Sequence, residues 1–189
     1  MISPQKPPIT VTLEIAWYGL RHWVGVIALL TAGLFINEPP RSAILVAIML
    51  YYPLIVDQQT SISRTGIATE HRAAKLLMIA LLAILLAWQP DVIRFSLATL
   101  FLAALPEEWF FRAYFMVRTG TGWRANILTT LVFATLHWVT RDITAAALVV
   151  VPSLFYGWLF QKTRDVSLLV LVHALSNVFY VMFLAPHFV

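Results

Sequence analysis

The chain contains no cysteine, which excludes disulfides and any thiolate chemistry. Charge is also scarce. Only 12% of the 189 residues are charged, against about a quarter in an ordinary soluble domain. What fills the place of charge is oil: 60% of the residues are hydrophobic, and the mean hydropathy is +0.81. Such an excess implies a single membrane domain over residues 1–189, in contact with a lipid bilayer. No internal repeat and no linker divides it. The formal net charge is +4, but the basic residues stand singly between apolar runs, so no nucleic-acid-binding face is expected. The opening MISPQKPPIT has adjacent prolines, and no small-residue cleavage site follows a short apolar core. No removable signal peptide is expected.

A helix needs about 20 mostly apolar residues to cross the hydrocarbon core. Seven candidates occur, at about 14–36, 42–56, 74–89, 93–117, 124–140, 143–160 and 166–185. The start of the first is interrupted by Glu14, Arg21 and His22, so six spans and an interfacial helix form the alternative. Pro39-Pro40, Pro90 and the Gly120–Gly122 pair punctuate the connections, and the longest polar stretch, Asp57 to Lys75, reads as a loop. The predicted fold is an all-α, polytopic helical bundle of about seven transmembrane helices. Lys and Arg placement tests the count. One side receives eight: Lys6, Arg64, Arg72, Lys75, Arg118, Arg124, Lys162 and Arg164; the other receives Arg41, Arg94 and Arg141. The positive-inside rule then predicts a cytoplasmic N-terminus and an external C-terminus, in the cell membrane.

Against this background the stretch LPEEWFFRAYF stands out. Glu107 and Glu108 lie 13 and 14 residues from Arg94 and 11 and 10 from Arg118, close to mid-membrane. Charges at that depth cost at least a few kcal/mol each and usually face the bundle interior. Glu108 and Arg112, at i and i+4, share a helical face and can pair. Glu107, about 100° away, has no local cation and is the carboxylate left for chemistry. Two later spans carry polar groups too: His137 in FATLH, and His173 with Asn177 in HALSN, one turn apart. A carboxylate beside a histidine can hold a water and accept its proton. A second histidine and an amide can donate to the oxygen of a carbonyl under attack. The set therefore suits hydrolysis of an amide. No Gly-x-Ser-x-Gly elbow is present. A glutamate and two histidines can ligate zinc, but there is no His-Glu-x-x-His, and Asn177 in register with His173 suits a donor pair better. No metal and no cofactor are expected. The same polar cluster would also serve a non-catalytic bundle or a proton-coupled carrier, though a carrier should show two related halves.

Glu107-Glu108-x-x-x-Arg112, Phe133-x-x-x-His137 and His173-x-x-x-Asn177, in that order, resemble the three motifs of the CPBP family of CAAX proteases and bacteriocin-processing enzymes. The resemblance covers about residues 100–180, and FYGWLFQKTRDVSLLVLVHALSN adds to it. It implies a glutamic intramembrane protease that cleaves near the C-terminus of a membrane-associated protein or peptide carrying a C-terminal processing signal. Glu107 would activate the water, His137 would help hold it, and His173 with Asn177 would form the oxyanion site. Glu108 and Arg112 would orient these groups. Ala113 stands where the family often has glycine. So compact a chain is more similar to prokaryotic members, which include bacteriocin immunity proteins and myxosortase-like enzymes. An immunity protein would be the non-catalytic alternative.

Overall fold

The computed structural model of the chain describes residues 8–56, 71–120 and 122–185, with side chains from Gly19 onward. The described residues form seven helical rods and no strand. We number them α1 (Pro8–Phe35), α2 (Pro40–Val56), α3 (Arg72–Trp88), α4 (Pro90–Thr119), α5 (Trp123–Thr140), α6 (Ile143–Thr163) and α7 (Val166–Leu184). Each lies within a few residues of an apolar segment read from the sequence. The expected Asp57–Lys75 loop lies mostly outside the described residues, and its last part is already helix, since α3 starts at Arg72. The opening segment with Lys6, and His187, also fall outside them.

By length and composition, α6 and α7 can each cross a bilayer, with mean hydropathies of 1.9 and 2.0. A third crossing is obtained if α3 and α4, which meet at 120°, are taken as one bent span. α2 and the part of α1 whose side chains are described, Gly19–Phe35, are each shorter than 18 residues, and α4 itself carries the interior charges. The apolar side chains that α3 turns outward (Leu76, Leu77, Ile79, Ile84, Trp88) are at least half exposed. In water such a face would be a liability; in lipid it is the outer surface of a membrane protein.

α4 is the axis of the molecule. On one side Phe110, Phe111, Tyr114 and Phe115 pack with Val26 and Leu29 of α1, Leu45 and Met49 of α2, and Phe133 and Leu136 of α5. On the other, Ala104, Ala113 and Met116 pack with Tyr156 and Phe160 of α6 and Leu169, Val170 and Ala174 of α7. Residues 110–116 are therefore buried on every face. Ala113, the departure from the family pattern, is one of the small residues in the second cluster. α4 is also widened into π-helix at Thr99–Ala104 and Glu108–Met116. Pro106, which has no N–H to donate to the ladder, lies between the two widened stretches. Wide turns of this kind commonly occur at functional sites.

Two close approaches fix the packing around this axis. A Cβ on Gly157 of α6 would collide with the Asn126 side chain of α5, whose Nδ2 donates to the Leu154 carbonyl at 2.9 Å. Between α4 and α5, Gly120 and Gly122 take φ of 122° and 89°, backbone that a residue with a Cβ rarely adopts. At the same end of the bundle Asp165 caps α7 and ties it to α3. It accepts from the Leu168 N–H at 3.0 Å and from Lys75 Nζ at 2.7 Å.

Candidate active site

The widened turn of α4 separates the two adjacent glutamates. Glu108 is sealed, with 0% exposure. Its Oε1 takes Nδ1 of His173 at 2.7 Å, and its Oε2 lies 3.3 Å from Nε of Arg112. The Arg112 contact is an ion pair off the hydrogen-bond axis, since Oε2 and Nε have no directed partner among the described residues. The guanidinium spends its directed bond elsewhere: Nη2 donates to Ser153 Oγ at 2.8 Å and to the Ser153 carbonyl at 3.3 Å. Thr130 Oγ1 lies 3.0 Å from the same hydroxyl. The rings of Phe133 and Tyr156 stand 4.9 and 5.8 Å from the guanidinium carbon. Two buried charges of opposite sign, enclosed by hydroxyls and π-faces, form an arrangement that a membrane interior tolerates.

Glu107 points the other way. With Leu102 and Ala103 it lines a cavity of about 230 Å³, whose remaining walls come from α2 (Leu45, Met49) and from α5 (Leu136, His137). Its Oε2 is 3.7 Å from Nε2 of His173, too far for a direct hydrogen bond. The His173 ring thus stands between the two glutamates, one on each nitrogen, and stacks on Tyr156 with centroids 4.8 Å apart. His137 is held by its own helix, with Nδ1 3.1 Å from the Phe133 carbonyl and its ring 4.4 Å from the Phe133 ring. A carbonyl only accepts, so Nδ1 carries the proton and Nε2 keeps a lone pair for the cavity.

The structure therefore puts Glu107 on one cavity with His137 and beside His173, which does not itself line that cavity. It does not bring Asn177 to the cavity wall. That residue lies one turn beyond His173 on α7, half-buried, with no side-chain hydrogen bond among the described residues. The i,i+4 pairing of Glu108 with Arg112 is present, but sequence reasoning missed the stronger partner, His173. It also missed Ser153, Thr130 and Tyr156. The signal for Ser153 was a hydroxyl beside Pro152 in the otherwise apolar run VVVPSLF; for Tyr156 no spacing rule was available.

The cavity mouth lies at the α1–α2 turn. Glu38 there accepts from Ser42 Oγ at 2.7 Å and from Arg41 Nε at 3.2 Å. The Ser42 hydroxyl chiefly, against the cost of burial, holds its carboxyl below the usual range. Arg41 Nη2 reaches the Thr140 carbonyl at 3.0 Å, which clamps α2 to the end of α5. Among the described residues no three His, Asp or Glu side chains converge as a metal site would require.

Residues 88–179 match the family model described as type II CAAX prenyl endopeptidase, Rce1-like. No curated protein and no solved structure matches the chain. The matched stretch runs from the last residue of α3 into α7 and includes Glu107, Glu108, Arg112, His137, His173 and Asn177. The match suggests a protease of the CAAX type acting within the membrane on a membrane-associated protein. Over residues 88–179 the chain is thus similar to the Rce1-like type II CAAX prenyl endopeptidases, consistent with the CPBP resemblance that its three motifs carry.

Proposed function

We propose that the chain is a glutamic intramembrane endopeptidase that hydrolyses a peptide bond near the C-terminus of a membrane-associated substrate. The observation that carries this reading is the shared cavity: Glu107 and His137 come from different helices to one space of about 230 Å³, inside an otherwise apolar bundle. A water there donates one proton toward Glu107 and a hydrogen bond to His137 Nε2. As Glu107 takes the proton, the hydroxide oxygen attacks the scissile carbonyl carbon. The carbonyl oxygen becomes an oxyanion that meets the Nε2–H of His173, which in this role is an imidazolium whose Nδ1–H goes to Glu108, and the Asn177 amide once that side chain turns toward it. Collapse of the tetrahedral species breaks the C–N bond, and the proton returns from Glu107 to the leaving amine. Glu108 anchors Nδ1 of His173 and Arg112 balances Glu108, so the sealed network aims the donor without touching substrate.

The Lys and Arg bias supports seven crossings, with the Arg41, Arg94 and Arg141 side outside. The cavity mouth lies on that side, so the substrate presents its tail at the outer face. A reporter inserted at Gln89 should read as external and one at Thr60 as cytoplasmic; the same side for both would overturn this topology.

The mechanism is tested by Glu107→Gln, which keeps size and most hydrogen bonding but removes the base. Cleavage of a membrane-anchored peptide should fall by roughly 10²–10⁴-fold, while the purified protein melts as the wild type does. Retained activity would show another group to be the base. A wild type with no activity on any membrane-anchored tail would favour the non-catalytic reading.

A further inference from the structure

The cavity mouth carries three formal charges whose commitments differ. Glu38 and Arg41 are tied to each other, to Ser42 and to the end of α5. Asp142, the residue beyond the mouth, caps α6 by accepting from the Ala145 N–H at 2.8 Å. Arg141 also lines the cavity. It is exposed, and its side chain makes no hydrogen bond or ion pair among the described residues. Its backbone N–H closes the last turn of α5 on the His137 carbonyl at 2.9 Å. It therefore rises one turn, about 6 Å, above the ring assigned to hold the water.

We propose that Arg141 is a specificity residue which receives the free C-terminal carboxylate of the substrate tail. This rests on the protease reading above and adds what the site recognises. An uncommitted guanidinium at the rim of a cavity leading to the reacting atoms suits a carboxylate, which it can take in a two-pronged, charge-assisted bond. The cavity is smaller than the usual range for ligand pockets, about 300–1,000 Å³, so it admits a short chain end rather than a long segment. At about 3.4 Å per extended residue, the rise of about 6 Å between His137 and Arg141 puts the carboxylate about two residues past the scissile bond. The apolar wall of Leu45, Met49, Leu102 and Leu136 would take the side chains between. Arg41 cannot serve in this way without releasing Thr140 and Glu38.

The test uses one peptide with an apolar N-terminal anchor and a short apolar tail, in liposomes, made with a free C-terminal carboxylate and as the C-terminal amide. Wild type should cleave the acid roughly ten- to a hundred-fold better in kcat/KM, chiefly through KM. In Arg141→Gln that preference should collapse toward one, and Arg141→Lys should restore part of it. The released tail, added back as the acid, should inhibit wild type more strongly than its amide does. Equal cleavage of acid and amide by wild type would overturn the carboxylate subsite and leave the protease reading standing. A preference unchanged in Arg141→Gln would also overturn it. Cleavage that survives Glu107→Gln would instead point to failure of the catalytic assignment.

Discussion

Behind α4 lies a closed region in which Glu108, Arg112, His173, Ser153 and Thr130 pair with one another away from solvent, although Glu108 Oε2 and Arg112 Nε and Nη1 lack a directed hydrogen bond among the described residues. In front of it lies an open one, where Glu107 and His137 line a cavity with apolar side chains of α2, α4 and α5, and Glu38, Arg41, Ser42, Thr140 and Arg141 complete its lining. One residue step divides them, because neighbouring positions on a helix point about 100° apart. The contrast shows how a membrane bundle can hold two carboxylates at one depth. The first is neutralised by contacts and becomes structure; the second is left under-partnered and becomes available for chemistry. The largest expected difference between the regions follows directly. Glu107→Gln should lower cleavage by roughly 10²–10⁴-fold with no change in melting. Glu108→Gln strands Arg112 without its counter-charge and should cost about 3–5 kcal/mol of stability, in addition to activity lost through His173. A double replacement, Glu108→Gln with Arg112→Gln, should recover part of that stability, because no unpaired buried charge remains. Thermal melting in detergent, beside a cleavage assay, separates the cases. Equal melting of the two single variants would erase the distinction drawn between the glutamates.

Asn177 belongs to neither region as the molecule stands, and its substitution sharpens the comparison. If it swings to the oxyanion when substrate enters, Asn177→Ala should lower kcat by about 10²–10³-fold. No buried bond is lost, so melting should not move. A lowered melting temperature with unchanged turnover would assign Asn177 to the closed region.

How much of this was legible beforehand depended on the kind of signal. The helices were plain, because uninterrupted apolar runs ended at Pro40, Pro90 and Gly120–Gly122 are difficult to place otherwise. Their number as membrane crossings was less so: α4 carries its own interior charges, and α2 and the part of α1 whose side chains are described are each shorter than 18 residues, so length and hydropathy among the described residues select only α6, α7 and the bent α3–α4 pair. The candidate site residues were visible as charges and imidazoles where oil was expected. Their partners were not. Ser153 and Tyr156 reach Arg112 and His173 from α6, and spacing along one helix says nothing about which face of another helix it meets. The cavity was equally invisible, since α2 supplies one wall and carries no motif. It also lies outside the 88–179 match.

The contact of α5 with α6 holds both regions in register, and Gly157 is its narrowest point. Gly157→Ala would push a methyl into the Asn126 amide, which is buried and bonded to Leu154. Overpacking of this kind costs about 1–3 kcal/mol. Adding Asn126→Ala should return part of the loss by making room, although the Leu154 contact is then absent. If Gly157→Ala melts like wild type, the helices slide freely there and the close approach does not fix the site.

The smallest effect is expected at the far end of the bundle, where Asp165 ties α7 to α3. Burial pushes its carboxyl up, but the Lys75 ammonium, the Leu168 N–H and the Ser167 hydroxyl outweigh that and hold it below its ordinary value of 3.8. A carboxyl depressed in the folded state adds stability that is present above its unfolded value and is lost as pH falls through the folded one. Melting should therefore be insensitive to this group from neutrality down to about pH 4 and decline only below it. Asp165→Asn should melt lower at neutral pH and lack this part of the acid decline. His71 Nδ1 lies 3.3 Å from the same carboxylate, so His71→Gln serves as the companion variant. It should keep the acid decline, because the Lys75 contact at 2.7 Å remains. An Asp165→Asn protein with the full wild-type acid decline would show that the pairing stabilises neither end. Because this end is remote from the cavity, cleavage by both variants, measured below their melting temperatures, should stay close to wild type.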